Sequence, residues 1–254
     1  MELEGKAAIV TGAGTGVGRA VALRLAGAGC SVLVNYCHSK DGAETTAAQA
    51  RELGVKAIAH QADVSDDDAC REMVSTATRE LGRLDVLVNN AGTTRFIPHA
   101  KLSEVTNEDW DQILGVNLKG PFFCSRAAKP AIEASGGGDI VMTSSVAGLI
   151  GTGSCIPYCA SKAGLNNLVV TLAKVMGPAI RVNAVAPGFI DGEWLQEGLG
   201  AAYETIKSGM EGRSPLGRVV TPEDVTDAIL SLIQGSDLVT GHVLPIEAGM
   251  LLGQ

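Results

Sequence analysis

Tyr158 and Lys162 stand four positions apart in Tyr158-Cys159-Ala160-Ser161-Lys162, at the head of an apolar run with helical spacing. Positions i and i+4 share a helix face, so the phenol and the ammonium point into the same space. A free phenol titrates near about 10 and is a poor base at neutral pH. A neighbouring ammonium stabilises the phenolate, lowers that pKa and fits the tyrosine for general acid–base work. The pair alone proves little, since Tyr-x-x-x-Lys arises by chance on many helices. Ser144 and Ser145 close a β-branched run, where one hydroxyl could polarise a carbonyl oxygen or the pair could simply make a turn. Asn117 interrupts an apolar helical pattern in Val116-Asn117-Leu118-Lys119-Gly120. An asparagine is unfavourable there unless it bonds a water or a backbone carbonyl.

Such groups act together only if the chain carries them to one place. β-Branched runs at 6–11, 31–36, 56–61, 85–89, 139–143, 180–186 and 242–246 alternate with helical patterns at 17–28, 41–53, 66–81, 107–134, 158–176 and 222–233. The runs are apolar on both faces, as strands covered by helices on both sides must be. The alternation predicts an α/β fold with a doubly wound sheet of about seven parallel strands. The last helix opens Thr221-Pro222-Glu223-Asp224, a cap residue followed by proline and acids. Residues 191–215 belong to neither element type, and so long a connection reads as a lid or binding loop on a single domain spanning 1–254.

The first run ends in Thr11-Gly12-Ala13-Gly14-Thr15-Gly16-Val17-Gly18, with a helix directly after it. This strand–loop–helix context sets backbone amides and a helix dipole against a pyrophosphate. The spacing is G-x-x-x-G-x-G, and no Gly-Lys-Ser/Thr follows, so a P-loop is excluded. By itself the loop favours a dinucleotide, with an ordinary glycine-rich turn as the alternative. Asn89-Asn90-Ala91-Gly92 follows the fourth run, at the strand ends where open α/β sheets bind ligands. Asp63-Val64 closes the third run on the same edge. Its carboxylate could accept from an exocyclic amine such as adenine's, or cap the helix beginning near Asp66.

Composition narrows the alternatives. The chain has 254 residues, 46% hydrophobic and 19% charged, which is a globular rather than a disordered composition. A net charge of −8 makes nucleic acid a poor partner. No stretch reaches the roughly 18 uninterrupted apolar residues of a membrane span, and the acidic start, Met1-Glu2-Leu3-Glu4, argues against a signal peptide. A cytoplasmic protein is expected. Its six cysteines form no CxxC pair and read as free thiols rather than a disulfide scaffold or a zinc site.

Taken in order, Thr11-Gly12-x3-Gly16-x-Gly18, Asp63, Asn89-Asn90-Ala91-Gly92, Asn117, Ser145, Tyr158-x3-Lys162 and Pro187-Gly188 resemble the short-chain dehydrogenase/reductase family across essentially the whole chain. The resemblance implies a Rossmann-like fold and hydride transfer between a nicotinamide cofactor and a carbonyl or secondary alcohol. It also implies roles. Tyr158 exchanges a proton with the substrate oxygen, and Ser145, chosen over Ser144 by the family's serine–tyrosine spacing, orients that oxygen. Lys162 lowers the tyrosine pKa and holds the nicotinamide ribose. Asn117 positions a water. Cofactor contacts are expected from Thr11, Gly12, Gly14, Thr15, Gly16, Val17, Gly18, Asn35, Tyr36, His38, Asp63, Val64, Asn90, Ala91, Gly92, Tyr158, Lys162, Pro187, Gly188 and Ile190. One departure is Gly192, where the family usually has a threonine supporting the carboxamide.

NAD-preferring relatives carry an acid at the end of the second strand. Asn35-Tyr36-Cys37 has none, and His38 and Lys40 could lie near a 2′-phosphate, so NADP(H) is favoured over NAD(H). The substrate is a small carbonyl compound, 3-oxoacyl reductase-like or sugar/ketone reductase-like. Trp194, Leu195, Leu199, Tyr203 and Met210 could make part of its pocket apolar or pack only against the body of the domain, while Thr94, Arg95 and Phe96 could flank the entrance. An acidic carrier domain would call for a basic patch, and neither Gly136-Gly137-Gly138 nor Gly177-Pro178-Ala179 offers one. A homotetramer is expected from the family, with the helix from Tyr158 and the tail 240–254 as contact surfaces. The rival readings are a catalytically silent dinucleotide sensor or scaffold, and a redox-neutral lyase or epimerase.

Overall fold

Seven short runs of small and β-branched residues pair side by side, because strands apolar on both faces are stable only between two helical layers. In the computed structural model, which describes residues 1–253, the strands are β1 (Ala7–Val10), β2 (Ser31–Tyr36), β3 (Ala57–Gln61), β4 (Val86–Asn89), β5 (Gly138–Thr143), β6 (Ile180–Pro187) and β7 (Val243–Ile246). All pair parallel, in the order β3-β2-β1-β4-β5-β6-β7. The direction of progression reverses between β1 and β4, which opens a crevice at their carboxyl ends. This is the Rossmann-like architecture expected.

Helices α1 (Gly16–Gly27), α2 (Lys40–Glu52), α3 (Asp67–Leu81), α4 (Asn107–Leu114), α5 (Gly120–Ala134), α6 (Ala147–Ile150), α7 (Ile156–Met176), α8 (Glu193–Leu199), α9 (Tyr203–Arg213) and α10 (Pro222–Gln234) connect or extend the strands. One buried cluster lies under α1, α2 and α10 and a second under α3, α5 and α7, so the sheet has a core on each face. The edge strands β3 and β7 are the exceptions to the two-faced burial, β3 ending in an exposed Gln61 and β7 leaving Leu244 exposed. None of the helices among the described residues is long and apolar enough to cross a membrane.

Two sequence expectations change. The continuous helix expected over 107–134 is α4 and α5 joined by a π-helical turn at Gly115–Lys119, which carries Asn117. Hydrophobic spacing tolerates one wide turn, so the pattern hides it. The segment expected to lack regular structure contains α8 and α9. Gly192, Gly198, Gly200, Gly209 and Gly212 weaken their helical signal. What steadies them is tertiary: Asp191, at the foot of the segment, accepts from Tyr203 and Lys207 of α9, while its amide donates to Val220 at 2.7 Å. Thr221 caps α10 with Asp224 in a reciprocal capping box, as the sequence predicts.

The carboxyl-terminal turn braces that segment. Ala248 accepts from the Ser214 hydroxyl at 2.8 Å and takes φ = 58°, a left-handed conformation costly for a residue with a Cβ. Ala248→Gly is therefore expected to raise stability by about 1 kcal/mol. Urea unfolding checks this as a higher midpoint at unchanged slope.

Candidate functional site

The glycine loop is shaped by the groups pressed against it. Gly12 takes φ = 62°, and a Cβ there would stand 3.0 Å from the Ala91 backbone. A Cβ on Gly18 would overlap the Gly12 carbonyl and the Asn90 amide. Only hydrogen fits at either position, which lets the loop after β1 and the loop after β4 lie against each other. Side-chain amides lock that contact. Asn90 Nδ2 donates to the Thr11 and Gly12 carbonyls at 3.1 and 3.2 Å, and Asn35 Oδ1 accepts the Gly12 amide at 3.2 Å. The Thr11 hydroxyl accepts the Asn90 and Ala91 amides at 2.9 and 3.0 Å.

These loops form one end of a cavity of about 1480 Å³. Gly12, Gly14, Thr15, Gly16 and Val17 line it, and no side chain caps the first turn of α1. Uncapped amides at a helix N-terminus suit an anion. Asp63 and Val64, then Asn90, Ala91 and Gly92, then Pro187, Gly188 and Ile190 continue the wall. Asp63 is not the cap of α3. That is Asp66, whose Oδ1 accepts from Asp68 and Ala69, while Asp63 accepts from the Ser65 amide and hydroxyl. The shape and polarity fit an elongated dinucleotide: a glycine cradle at one end, an amide-rich wall, and a cluster of proton-bearing groups at the other end.

Of the residues expected around the substrate pocket, Tyr203 is buried against Asp191, and Thr94 and Arg95 stay off the lining, Arg95 pairing with Asp109 at 2.8 Å. Of the expected cofactor and catalytic residues, Thr11, Gly18 and Asn117 do not line the cavity. They stand behind its wall and hold it. The Asn117 amide is doubly engaged with the Thr93 backbone, accepting its N–H at 2.8 Å and donating to its carbonyl at 2.9 Å, and it also donates to Ser161 Oγ at 3.2 Å. Lys40 is absent from the lining, whereas Arg19, Ser39, Asn35, Tyr36 and His38 are present. Arg19 was missed because only the fold brings it to the cavity, where its guanidinium donates to Gln49 Oε1 of α2 at 3.0 Å. Asn35-Tyr36-Cys37 at the end of β2 has no acid of its own, though Asp63 lies near enough to Cys37 to raise its thiol pKa.

Ser145, Tyr158 and Lys162 meet at the far end. Ser145 sits between the end of β5 and α6; its hydroxyl accepts the Ala147 amide at 3.1 Å and stands near enough to the Tyr158 phenol to favour the phenolate. Ser144 faces the core, donating to Asn166 Oδ1, and the Asn166 amide in turn donates to the Gly148 carbonyl at 3.2 Å. That clasp, invisible in the sequence, ties α6 to α7. Lys162 Nζ donates to the Thr143 carbonyl at 2.8 Å and lies 5.6 Å from the centre of the Tyr158 ring.

The electrostatics differ from the sequence expectation. Burial pushes the Tyr158 phenol up to about 12, and the nearby Ser145 hydroxyl offsets only part of this. Lys162, held over the ring face instead of beside the hydroxyl, does not reverse it. Burial also brings Lys162 down to about 8. Desolvation disfavours the charged form of each group.

Comparison with known proteins agrees with this architecture. A family model described as enoyl-(acyl carrier protein) reductase matches residues 12–251. The chain is 44% identical over 247 residues to a protein of Streptomyces violaceoruber assigned as ketoacyl reductase 2 of the granaticin polyketide synthase, covering 97% of this chain and 96% of the relative. It is 40% identical over 254 residues to a 3-oxoacyl-(acyl-carrier-protein) reductase of Thermotoga maritima, covering 99% and 100%. A solved structure from Burkholderia xenovorans, assigned as a short-chain dehydrogenase/reductase, superposes with a TM-score of 0.90 at 36% identity, covering 98% of each chain. The chain belongs to the short-chain dehydrogenase/reductase family and is an NAD(P)-dependent oxidoreductase.

Proposed function

We propose that this chain reduces a ketone with NADP(H), with Tyr158 as proton donor. The observation that carries the reading is the convergence of Ser145, Tyr158 and Lys162 at the end of a cavity that begins at the glycine loop. Two hydroxyls aimed at one point suit a carbonyl oxygen. A phenol near 12 is fully protonated at neutral pH, which favours donation to an oxygen gaining charge over abstraction from an alcohol. Ser145 orients that oxygen. Lys162 holds the ribose hydroxyls beside Tyr158, and Asn117 positions the Thr93 loop and a water beside Lys162.

The residues that would hold the dinucleotide are the amides of Gly14 to Val17 for the pyrophosphate, Asp63 and Val64 for adenine, Asn90 to Gly92 along the middle, and the backbone of Pro187, Gly188 and Ile190 for the carboxamide. When bound, nicotinamide supplies the hydride. Arg19, His38 and Ser39 are the groups available to a 2′-phosphate. With no acid at the end of β2, kcat/KM is expected to be at least about tenfold higher with NADPH than with NADH, since a charge-assisted phosphate contact is worth more than about 1.4 kcal/mol. Initial rates with both cofactors over a ketone panel, followed by nicotinamide absorbance, test this. A large NADH preference overturns the cofactor reading, and turnover without any absorbance change favours redox-neutral chemistry.

Lys162 carries its charge below about pH 8 and loses it above. Ketone reduction is therefore expected to hold level through neutral pH and fall through an alkaline limb near that value. The pH profile of kcat/KM measures it, and Lys162→Arg should move the limb upward. A profile without an alkaline limb removes Lys162 from the mechanism.

The same proposal includes 3-oxoacyl-like or other small ketone substrates, with 191–215 as their lid, and a homotetramer. Val170 and Val175 on α7, Leu244 on β7 and Leu252 remain exposed, as subunit contacts would be. In the tail, Gln254 lies outside the described residues. Sedimentation of the protein decides the oligomer.

A further inference from the structure

The chain is poor in aromatic residues, with four phenylalanines, three tyrosines and two tryptophans. Five of these nine, Tyr36, Phe96, Tyr158, Phe189 and Trp194, line the large cavity. Three of them meet at its lid end. The Trp194 ring, at the start of α8, lies 6.1 Å from Phe96 at an interplanar angle of 58°, and 6.3 Å from Tyr158 at 45°. These are spacings and tilts at which ring quadrupoles attract. Phe96 reaches α8 only because position 198 is glycine, since a Cβ there would overlap the ring. Trp194 is thus backed on one side by Phe96 and borders the proton donor on the other. It is also 49% exposed, so its ring is open to the cavity it lines.

A flexible aliphatic chain would gain only area from such a wall, and Ile150, Leu195, Leu199 and Met210 already provide apolar area. What Trp194 adds is a rigid π face beside the reacting oxygen's position. We infer that the ketone this site takes carries an aromatic ring within a bond or two of its carbonyl, and that Trp194, backed by Phe96, selects for it. The inference rests on the proposed role of Tyr158, because it locates the ring relative to the carbonyl that Tyr158 protonates. Ser154 lines the same end, and its hydroxyl is 2.5 Å from that of Thr94. That pair gives a ring-borne oxygen a polar partner.

The test compares 2-tetralone with 2-decalone, bicyclic ketones of similar outline, neither with a conjugated carbonyl. The ratio of their kcat/KM values is measured in the native enzyme and in Trp194→Leu and Trp194→Phe. The native ratio should favour 2-tetralone and should fall about tenfold in Trp194→Leu, with most of it restored in Trp194→Phe. An unchanged ratio in Trp194→Leu overturns the inference. Because intrinsic reactivity is common to all three proteins, it cancels. In a Trp110→Phe background, Trp194 is the only tryptophan, and its fluorescence should be quenched at lower 2-tetralone than 2-decalone concentration. Equal titrations overturn the inference. If the native enzyme reduces neither ketone nor a 3-oxoacyl thioester, the proposed reduction fails, while the fluorescence titration still decides whether the ring is selected.

Discussion

Tyr158→Phe is expected to lower kcat by about 10²- to 10⁴-fold, the range a positioned general acid contributes. kcat/KM should fall by the same factor, because the lost interaction is made only as charge develops on the substrate oxygen. The substitution removes one oxygen and leaves the ring, so its 5.6 Å approach to Lys162 and its packing against Trp194 persist. NADP(H) binding, followed by nicotinamide fluorescence, should change by less than about threefold, under 1 kcal/mol. The residual rate should reflect Ser145 alone, and Ser145→Ala added to Tyr158→Phe should cost far less than it does in the native enzyme, since the two hydroxyls act as a pair. A phenylalanine variant that keeps most of its rate would place the proton donor elsewhere.

The second large effect is on stability, at the end of the sheet opposite the cavity. Arg181 of β6 is nearly buried and donates to the Leu232, Ile233, Ser236 and Val239 carbonyls at 2.9, 3.0, 3.2 and 3.1 Å, while pairing with Asp139 of β5 at 2.7 Å. It ties the end of α10 to the sheet. Arg181→Met strands four acceptors and a buried carboxylate, for an expected loss of about 3–5 kcal/mol and a Tm lower by roughly 10 °C. Asp139→Asn leaves Arg181 with its carbonyls and should cost only about 1 kcal/mol. Burial outweighs Arg181 and pushes Asp139 from 3.8 up to about 6. A raised carboxyl pKa means the folded chain binds the proton more tightly than the unfolded one. Asp139 therefore contributes its stability fully below about pH 4, and that contribution is lost as pH rises through about 6. The Arg181→Met deficit should accordingly shrink between pH 7 and 5, measured by denaturant unfolding at each pH. Equal losses in the two variants, or a pH-independent deficit, would refute this account.

Asp85 shows why the two buried aspartates differ. It accepts the Ala7 amide at 3.0 Å and a two-pronged bond from Arg83, with Lys6 at 3.3 Å, and its pKa is lowered despite burial. Several donors on one carboxylate overcome desolvation, and one partner does not. Neither aspartate is distinguishable from the other in the sequence, since each simply opens an apolar strand.

What the sequence by itself determined is what depends on near neighbours. Strand and helix periods, the cap at Thr221, the glycine loop and the order of Asn117, Ser145, Tyr158 and Lys162 are local patterns, and the fold and family follow from them. Tertiary structure alone decided the rest. It put Thr11, Gly18 and Asn117 behind the cavity wall, turned Arg19 into it, wound α8 and α9 within the expected lid, and brought Phe96, Trp194 and Tyr158 together. It also set the phenol's pKa above its ordinary value, where the Tyr-x-x-x-Lys spacing predicted a fall. The physical reason is the same throughout: desolvation and packing are imposed by atoms distant along the chain, and no local pattern encodes which of them arrive.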